Sequence, residues 1–286
     1  MAFTLRITIH FCLIQLLFFS ILCSPGSQQR TKSKNTLSES ASTIETIIKG
    51  HKSPYRPFYA RVYVLNDDVT VFNKCGAAIL SDLWILTSGH CIYRVAPERV
   101  YVEVGDFTEY TRTYDKLRTT TSTAKIIWHQ RSRINSTRFD IGLIKLKYRL
   151  TRMPYFENIV LCPEVEEPCS IIGTCGMGSL DSSSSKPSED LQELLLVQRK
   201  AGILGGCPRD NICTKPVNIG GNICKEDAGN PLFKMYPGTS VPKCLLGVAS
   251  YPGKNAQERE TCSGGNYFAS VPYFNKWIMT NVDFHS

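Results

Sequence analysis

From residue 61 to residue 271 the chain repeats one pattern: short runs of β-branched and aromatic residues alternate with polar ones, and Gly, Pro, Asn, Asp or Ser bounds each run. A period of two predicts strands. The predicted strands are Arg61–Leu65, Cys75–Leu80, Trp84–Thr87, Val100–Val104, Lys125–Trp128, Ile141–Tyr148, Glu193–Gln198, Leu245–Ser250 and Tyr267–Val271. Helical spacing occurs only near the end, where Phe274, Trp277 and Ile278 recur at intervals of three and four and predict a helix over Val271–Asn281. The stretch Asp181–Asp190, with four consecutive serines and Pro187, reads as a surface loop. The pattern argues for an all-β barrel or sandwich closed by one short helix.

Composition separates the first residues from the rest. Residues 1–24 carry Arg6 and His10, then the apolar run Phe11–Leu22 and small residues before Pro25, which is the layout of a secretory signal peptide; a retained anchor is the alternative. Residues 25–46 are rich in Ser, Thr and Lys and read as a flexible, propeptide-like leader, so a structured region over 47–286 is expected. No later run approaches the roughly twenty apolar residues a membrane helix needs. Hydrophobic residues make up 42% of the 286 and charged residues 20%, which permits a sizeable core.

Export makes the twelve cysteines readable as disulfides, because an even number remains once Cys12 and Cys23 are set aside with the signal region. No Cys-x2-Cys pair favours zinc, and neither a metal nor a cofactor is expected. The net charge of +8 is spread along the chain, with its densest cluster at Lys145, Lys147, Arg149 and Arg152. Alternation with Ile144, Leu146 and Tyr148 places these cations on one face of a strand, either as a solvated face or as a site for sulfated glycans or anionic lipid. Nothing in the sequence points to nucleic acid.

Three separated segments carry candidate chemistry: Trp84-Ile-Leu-Thr-Ser-Gly-His-Cys91, Phe139-Asp-Ile-Gly-Leu-Ile-Lys-Leu146 and Cys224-Lys-Glu-Asp-Ala-Gly-Asn-Pro-Leu232. Together and in this order they resemble the chymotrypsin-like serine proteases, and the resemblance runs from Ile47 to the C-terminus. It implies an all-β fold of two six-stranded antiparallel β-barrels, roughly residues 47–155 and 156–286, with a cleft between them and a short C-terminal helix. It also implies that His90 holds the place of the general base, Asp140 that of the carboxylate orienting it, and Ala228 that of the nucleophilic serine. A methyl group has no lone pair to attack a carbonyl. No Ser, Thr or Cys lies between Lys225 and Lys234 to replace it.

Other positions depart from the family as well. Glu226 stands where the resemblance implies a glycine whose N–H, with that of Ala228, would form the oxyanion hole. Asn230 replaces a second glycine. Pro252 stands where a glycine would pair with substrate through its N–H, a donor that proline lacks. Asn222 sits at the base of the implied specificity pocket, with Ser250, Tyr251 and Gly265 around it, so a preference for Lys or Arg is not supported. Ile47 would be the amino terminus that pairs with Asp227 after activation, yet Thr46 before it is not a basic cleavage residue. Asn135-Ser-Thr137 is an N-glycosylation sequon beside Asp140.

The resemblance implies disulfides Cys75–Cys91, Cys207–Cys213 and Cys224–Cys262. Cys162, Cys169, Cys175 and Cys244 then allow three connectivities, of which Cys169–Cys244 is preferred. The expected function is that of a secreted, catalytically inactive serine protease homologue that binds protein partners, such as proteases or cascade components, as cofactor, decoy or modulator. A weak or unorthodox serine-type endopeptidase and a sulfated-glycan-binding module are the alternatives.

Overall fold

The structure, a computed structural model, describes residues 50–108, 117–134, 136–152, 155–165, 170–178, 187–199, 206–218, 221–224, 226–250 and 266–284. Six strands close the first barrel: β2 (Tyr59–Leu65), β3 (Val71–Ile79), β4 (Trp84–Thr87), β7 (Gly142–Leu146), β6 (Arg118–Trp128) and β5 (Val100–Gly105), which pairs back onto β2. Every pairing in it is antiparallel. The second barrel runs β8 (Ile171–Gly176), β9 (Gln192–Gln198), β10 (Asn211–Pro216), β13 (Asn266–Ser270), β12 (Pro242–Ala249) and β11 (Pro231–Met235), and closes by pairing β11 with β8. The short β1 (His51–Lys52) adds to β9, so the described chain begins on the second barrel's sheet.

Alternation along the strands divides the core into three parts. Ala60, Val62 and Val64 of β2 face inward with Val100, Val102 and Val104 of β5 and Ile144 of β7, filling barrel one. Ile172, Leu194, Leu196, Ile212, Leu246 and Phe268 fill barrel two. The third cluster lies in the seam, where Phe58, Tyr59, Leu86 and Phe107 from the first half meet Met177, Phe233, Val248 and Phe274 from the second. Each fully buried large apolar side chain contributes on the order of 2 kcal/mol. The seam thus fixes the two barrels against each other, and with them whatever lies between.

The helix α1 (Val271–Asn281) covers part of that seam with Val271, Phe274 and Ile278. The Ser270 hydroxyl accepts from the Tyr273 N–H as N-cap, and Pro272 suits the first turn because a proline there gives up only an N–H that the helix cannot pair.

Several elements differ from the expectation. β8, β10 and β11 are strands that the alternation did not mark, and β7 ends at Leu146, beyond which Lys147, Tyr148 and Arg149 are exposed. The cationic row is therefore not one strand face: Lys145 Nζ lies over the Trp84 ring and Arg149 pairs with Asp82.

Cys75–Cys91 and Cys207–Cys213 are disulfides. The expected Cys169–Cys244 bond is corrected: Cys244 pairs with Cys162, their Cα atoms 5.1 Å apart. The cause is a bridge between Leu161 and Leu245, in which Cys162 N–H donates to Leu245 O and Leu245 N–H to Val160 O, setting the two sulfurs side by side. Cys175 is a free, buried thiol on β8, and burial pushes its pKa well up. Cys224 is disulfide-bonded, while Cys262 and Cys169 lie outside the described residues.

Candidate functional site

β4 ends at Thr87 and the chain turns through a single 3-10 turn, Gly89–Cys91, whose last residue is tied to β3 by the Cys75–Cys91 bond. Thr87 and Ser88 anchor this turn, the Thr87 hydroxyl donating to Gly76 O at 2.8 Å and the Ser88 hydroxyl donating to Ala249 O across the seam. His90 is thereby held by both barrels.

The fully buried Asp140 accepts from the His90 backbone N–H at 2.7 Å through Oδ1 and faces the imidazole Nδ1 at 2.7 Å through Oδ2. Its Oδ2 also accepts from the Ser250 hydroxyl at 2.6 Å. Because an ionised carboxylate only accepts, the arrangement assigns the proton to Nδ1 and makes Nε2, which lies 3.9 Å from Cys91 Sγ, the basic nitrogen. Burial works against the charged imidazole, but the charge and hydrogen bond of Asp140 outweigh it and raise the His90 pKa. The constellation can orient a histidine base and stabilise its protonated form.

Asp140 is aimed by a residue that sequence reasoning missed. Phe139 before it has a left-handed φ of 55°, unusual for a bulky side chain. Its N–H donates at 2.7 Å to Oδ2 of the buried Asp210, whose Oδ1 meets Arg138 Nε at 2.5 Å. Asp210, just before β10, carries no motif of its own, and only the fold brings it there.

On the facing side, Ala228 is half-buried with its methyl packed against the barrel-one core, and its carbonyl accepts from Gly76 N–H at 2.7 Å. Gly229 has φ +80°, and a Cβ there would strike Gly76 O and the Thr87 hydroxyl, so glycine is required. Glu226 adopts φ 64°, a backbone shape that favours glycine, and its carboxylate pairs with Arg61 Nη2 of β2 at 3.4 Å. Arg61 is buried against the Tyr63 ring, so the pair draws the Glu226 side chain toward barrel one. Such a left-handed non-glycine costs about 1 kcal/mol, which the ion pair offsets in part.

Asp227 is fully buried, and burial pushes its carboxyl pKa up to about 7 against the pull of hydrogen bonds from Cys224 N–H, Gly178 N–H and the Asn230 amide. Asn222 and Ser250 are both buried near this loop's sequence neighbours, whereas Ile47, Asn135, Tyr251, Pro252 and Gly265 lie outside the described residues. Donor atoms of Cys75, His90 and Cys91 lie within 4.8 Å of one another, but both sulfurs belong to a disulfide, so the cluster is not a metal site.

The trypsin family profile matches residues 47–278. The chain belongs to the trypsin family. Among curated relatives, serine protease SSP1 of Scolopendra subspinipes is 28% identical over 220 residues, covering 73% of each chain. Trypsin Blo t 3 of Blomia tropicalis is 26% identical over 170 residues, which are 55% of this chain and 62% of the relative. Serine proteinase stubble of Drosophila melanogaster matches at 26% over 175 residues, 56% of this chain but 22% of that protein. In fold, the trypsin-family chain superposes on neuropsin, a serine protease expressed in the limbic system of mouse brain, with a TM-score of 0.64 at 17% identity, covering 82% of this chain and all of that one.

Proposed function

We propose that this trypsin-family chain is a secreted homologue that has lost hydrolytic activity and acts by binding proteins, as a cofactor, decoy or modulator of extracellular proteolysis or immunity. The observation that carries the reading is Ala228, a methyl group at the position the resemblance gives to the nucleophile, in a chain that keeps the His90–Asp140–Ser250 arrangement. Where a triad acts as a unit, losing the nucleophile costs on the order of a million-fold in turnover, or about 8 kcal/mol of barrier. Glu226 supports the same reading, since an acidic side chain paired to Arg61 brings negative charge to the loop segment where an oxyanion would need donors. Secretion rests on the signal-like residues 1–24 and on the disulfides, with residues 25–46 as a leader and Asn135 as a glycan acceptor.

Purified protein incubated with a broad panel of peptides and esters should show no more turnover than its His90→Ala variant. Hydrolysis clearly above that variant would overturn the proposal and favour a weak serine-type endopeptidase, the reading that the intact histidine pair keeps in play. A sulfated-glycan role finds less support, because Lys145 stacks on Trp84 and Arg149 pairs with Asp82.

A further inference from the structure

The loop that carries Ala228 is stapled by one carboxyl group. Asp227 Oδ2 accepts from Cys224 N–H at 2.8 Å, and its Oδ1 accepts from Gly178 N–H at 3.0 Å and from Asn230 Nδ2 at 2.7 Å. These donors belong to three places: the start of the loop, the segment just past β8, and the residue before β11. No cation among the described residues pairs with it. A buried carboxyl without donors is costly, so what supplies the donors decides the shape of the loop.

Asn230 is built into that position. It is fully buried, and its side chain lies between Gly76 of β3 and Gly176 of β8, where a Cβ on either glycine would collide with the amide. Its backbone is held as well, with Asn230 N–H donating to Asp227 O at 3.1 Å and Ala249 N–H donating to Asn230 O at 2.8 Å. One glycine comes from each barrel, so the amide sits in a slot that exists only when the barrels are docked. A glycine at 230 would offer Asp227 no side-chain donor.

We infer that Asn230 is a built-in latch for Asp227: by donating from within the chain it holds the Cys224–Pro231 loop and the Gly178 segment in their folded shape without a free amino terminus released at Ile47. The chain then needs no activating cut to present this face, in keeping with Thr46 at the position before Ile47. This goes beyond the proposed function and holds whether the chain binds or cleaves.

The test compares two forms of the full secreted chain, one with its leader intact and one cut at an engineered site immediately before Ile47. Melting temperature and hydrogen exchange at the Gly178 and Cys224 amides are measured in both. The two forms should melt within about 1 °C of each other and show equal protection. In an Asn230→Gly variant carrying the leader, protection of the Gly178 amide should fall about tenfold or more. A cut that raises the melting temperature by several degrees or the Gly178 protection tenfold in the unmutated chain would overturn the latch, as would unchanged Gly178 protection in Asn230→Gly. If that variant fails to fold, the two unmutated forms decide alone.

Discussion

His90 is where opposing forces on one side chain can be separated by experiment. Burial disfavours its charged form, and the Asp140 carboxylate, bonded through Nδ1 at 2.7 Å, reverses that and raises the pKa above the ordinary 6.5. Removing the charge in Asp140→Asn leaves burial to act alone, so the imidazole should then titrate below 6.5. A raised folded pKa contributes stability that is fully present below the unfolded value and lost as pH rises through the folded value. The stability gap between the parent and Asp140→Asn should therefore be widest below pH 6.5 and narrow as pH rises past the folded pKa of His90. Proton NMR of the imidazole and denaturant melts across this range check both statements, and a His90 pKa unmoved by Asp140→Asn would refute the assignment. Nothing in this experiment depends on whether the chain cleaves a substrate.

At the scale of elements, the corrected disulfide yields a direct prediction. Cys162–Cys244 spans 82 residues and ties the segment ahead of β8 to β12. Replacing both cysteines by alanine should cost about 2–4 kcal/mol, a drop of roughly 5–15 °C in melting temperature, and peptide mapping without reduction should recover Cys162 linked to Cys244. A recovered Cys169–Cys244 peptide would restore the pairing expected from the sequence. At the helix, Ser270→Ala removes the cap on α1 and should cost about 1 kcal/mol by the same measurement. What could be read from the sequence follows from the same local physics. The barrel-one strands were legible because Val100–Val104 and Arg61–Leu65 alternate cleanly between core and seam or solvent. β8 was not, since Ile-Ile-Gly-Thr-Cys-Gly interrupts its apolar residues with two glycines and is buried on nearly every side chain, leaving no period of two. β10 and β11 are short, one ending and one beginning in proline, so their strand character comes from neighbours that pair with them. The histidine, the aspartate and the loop around Ala228 could be found because each sits in a contiguous motif. Asp210, Arg61 and the Asn230 slot could not, because each acts on a residue far away in sequence through the docking of two barrels.

For the whole molecule, the proposed loss of hydrolysis can be tested by asking whether one hydroxyl would supply it. The barrels are docked by a seam cluster, and Thr87, Ser88 and Ser250 carry hydrogen bonds that keep His90 and Asp140 in register with the loop, so the frame for a base is present. A frame is insufficient, because transition-state stabilisation needs donors aimed at the developing oxyanion and a substrate strand held in place. In the roles proposed for them, Glu226, its side chain paired with Arg61, would stand where the first requirement is met, and Pro252, which has no N–H to donate, where the second is. Ala228→Ser alone should thus remain within about tenfold of the His90→Ala background in peptide and ester hydrolysis, since restoring one member of a cooperative site recovers little. Adding Glu226→Gly relieves the left-handed backbone at that position and removes its acidic side chain, and should raise turnover by about a hundredfold over Ala228→Ser, the scale of one oxyanion donor. Active-site labelling with a fluorophosphonate separates chemistry from substrate binding, because it needs the hydroxyl, the base and the oxyanion donors but no extended peptide. The double variant should label much faster than Ala228→Ser, while peptide hydrolysis by the double variant should still be limited until Pro252→Gly is added. Rapid turnover in Ala228→Ser by itself would show that Glu226 and Pro252 are tolerated by the chemistry, and that the missing hydroxyl is the whole of the lesion.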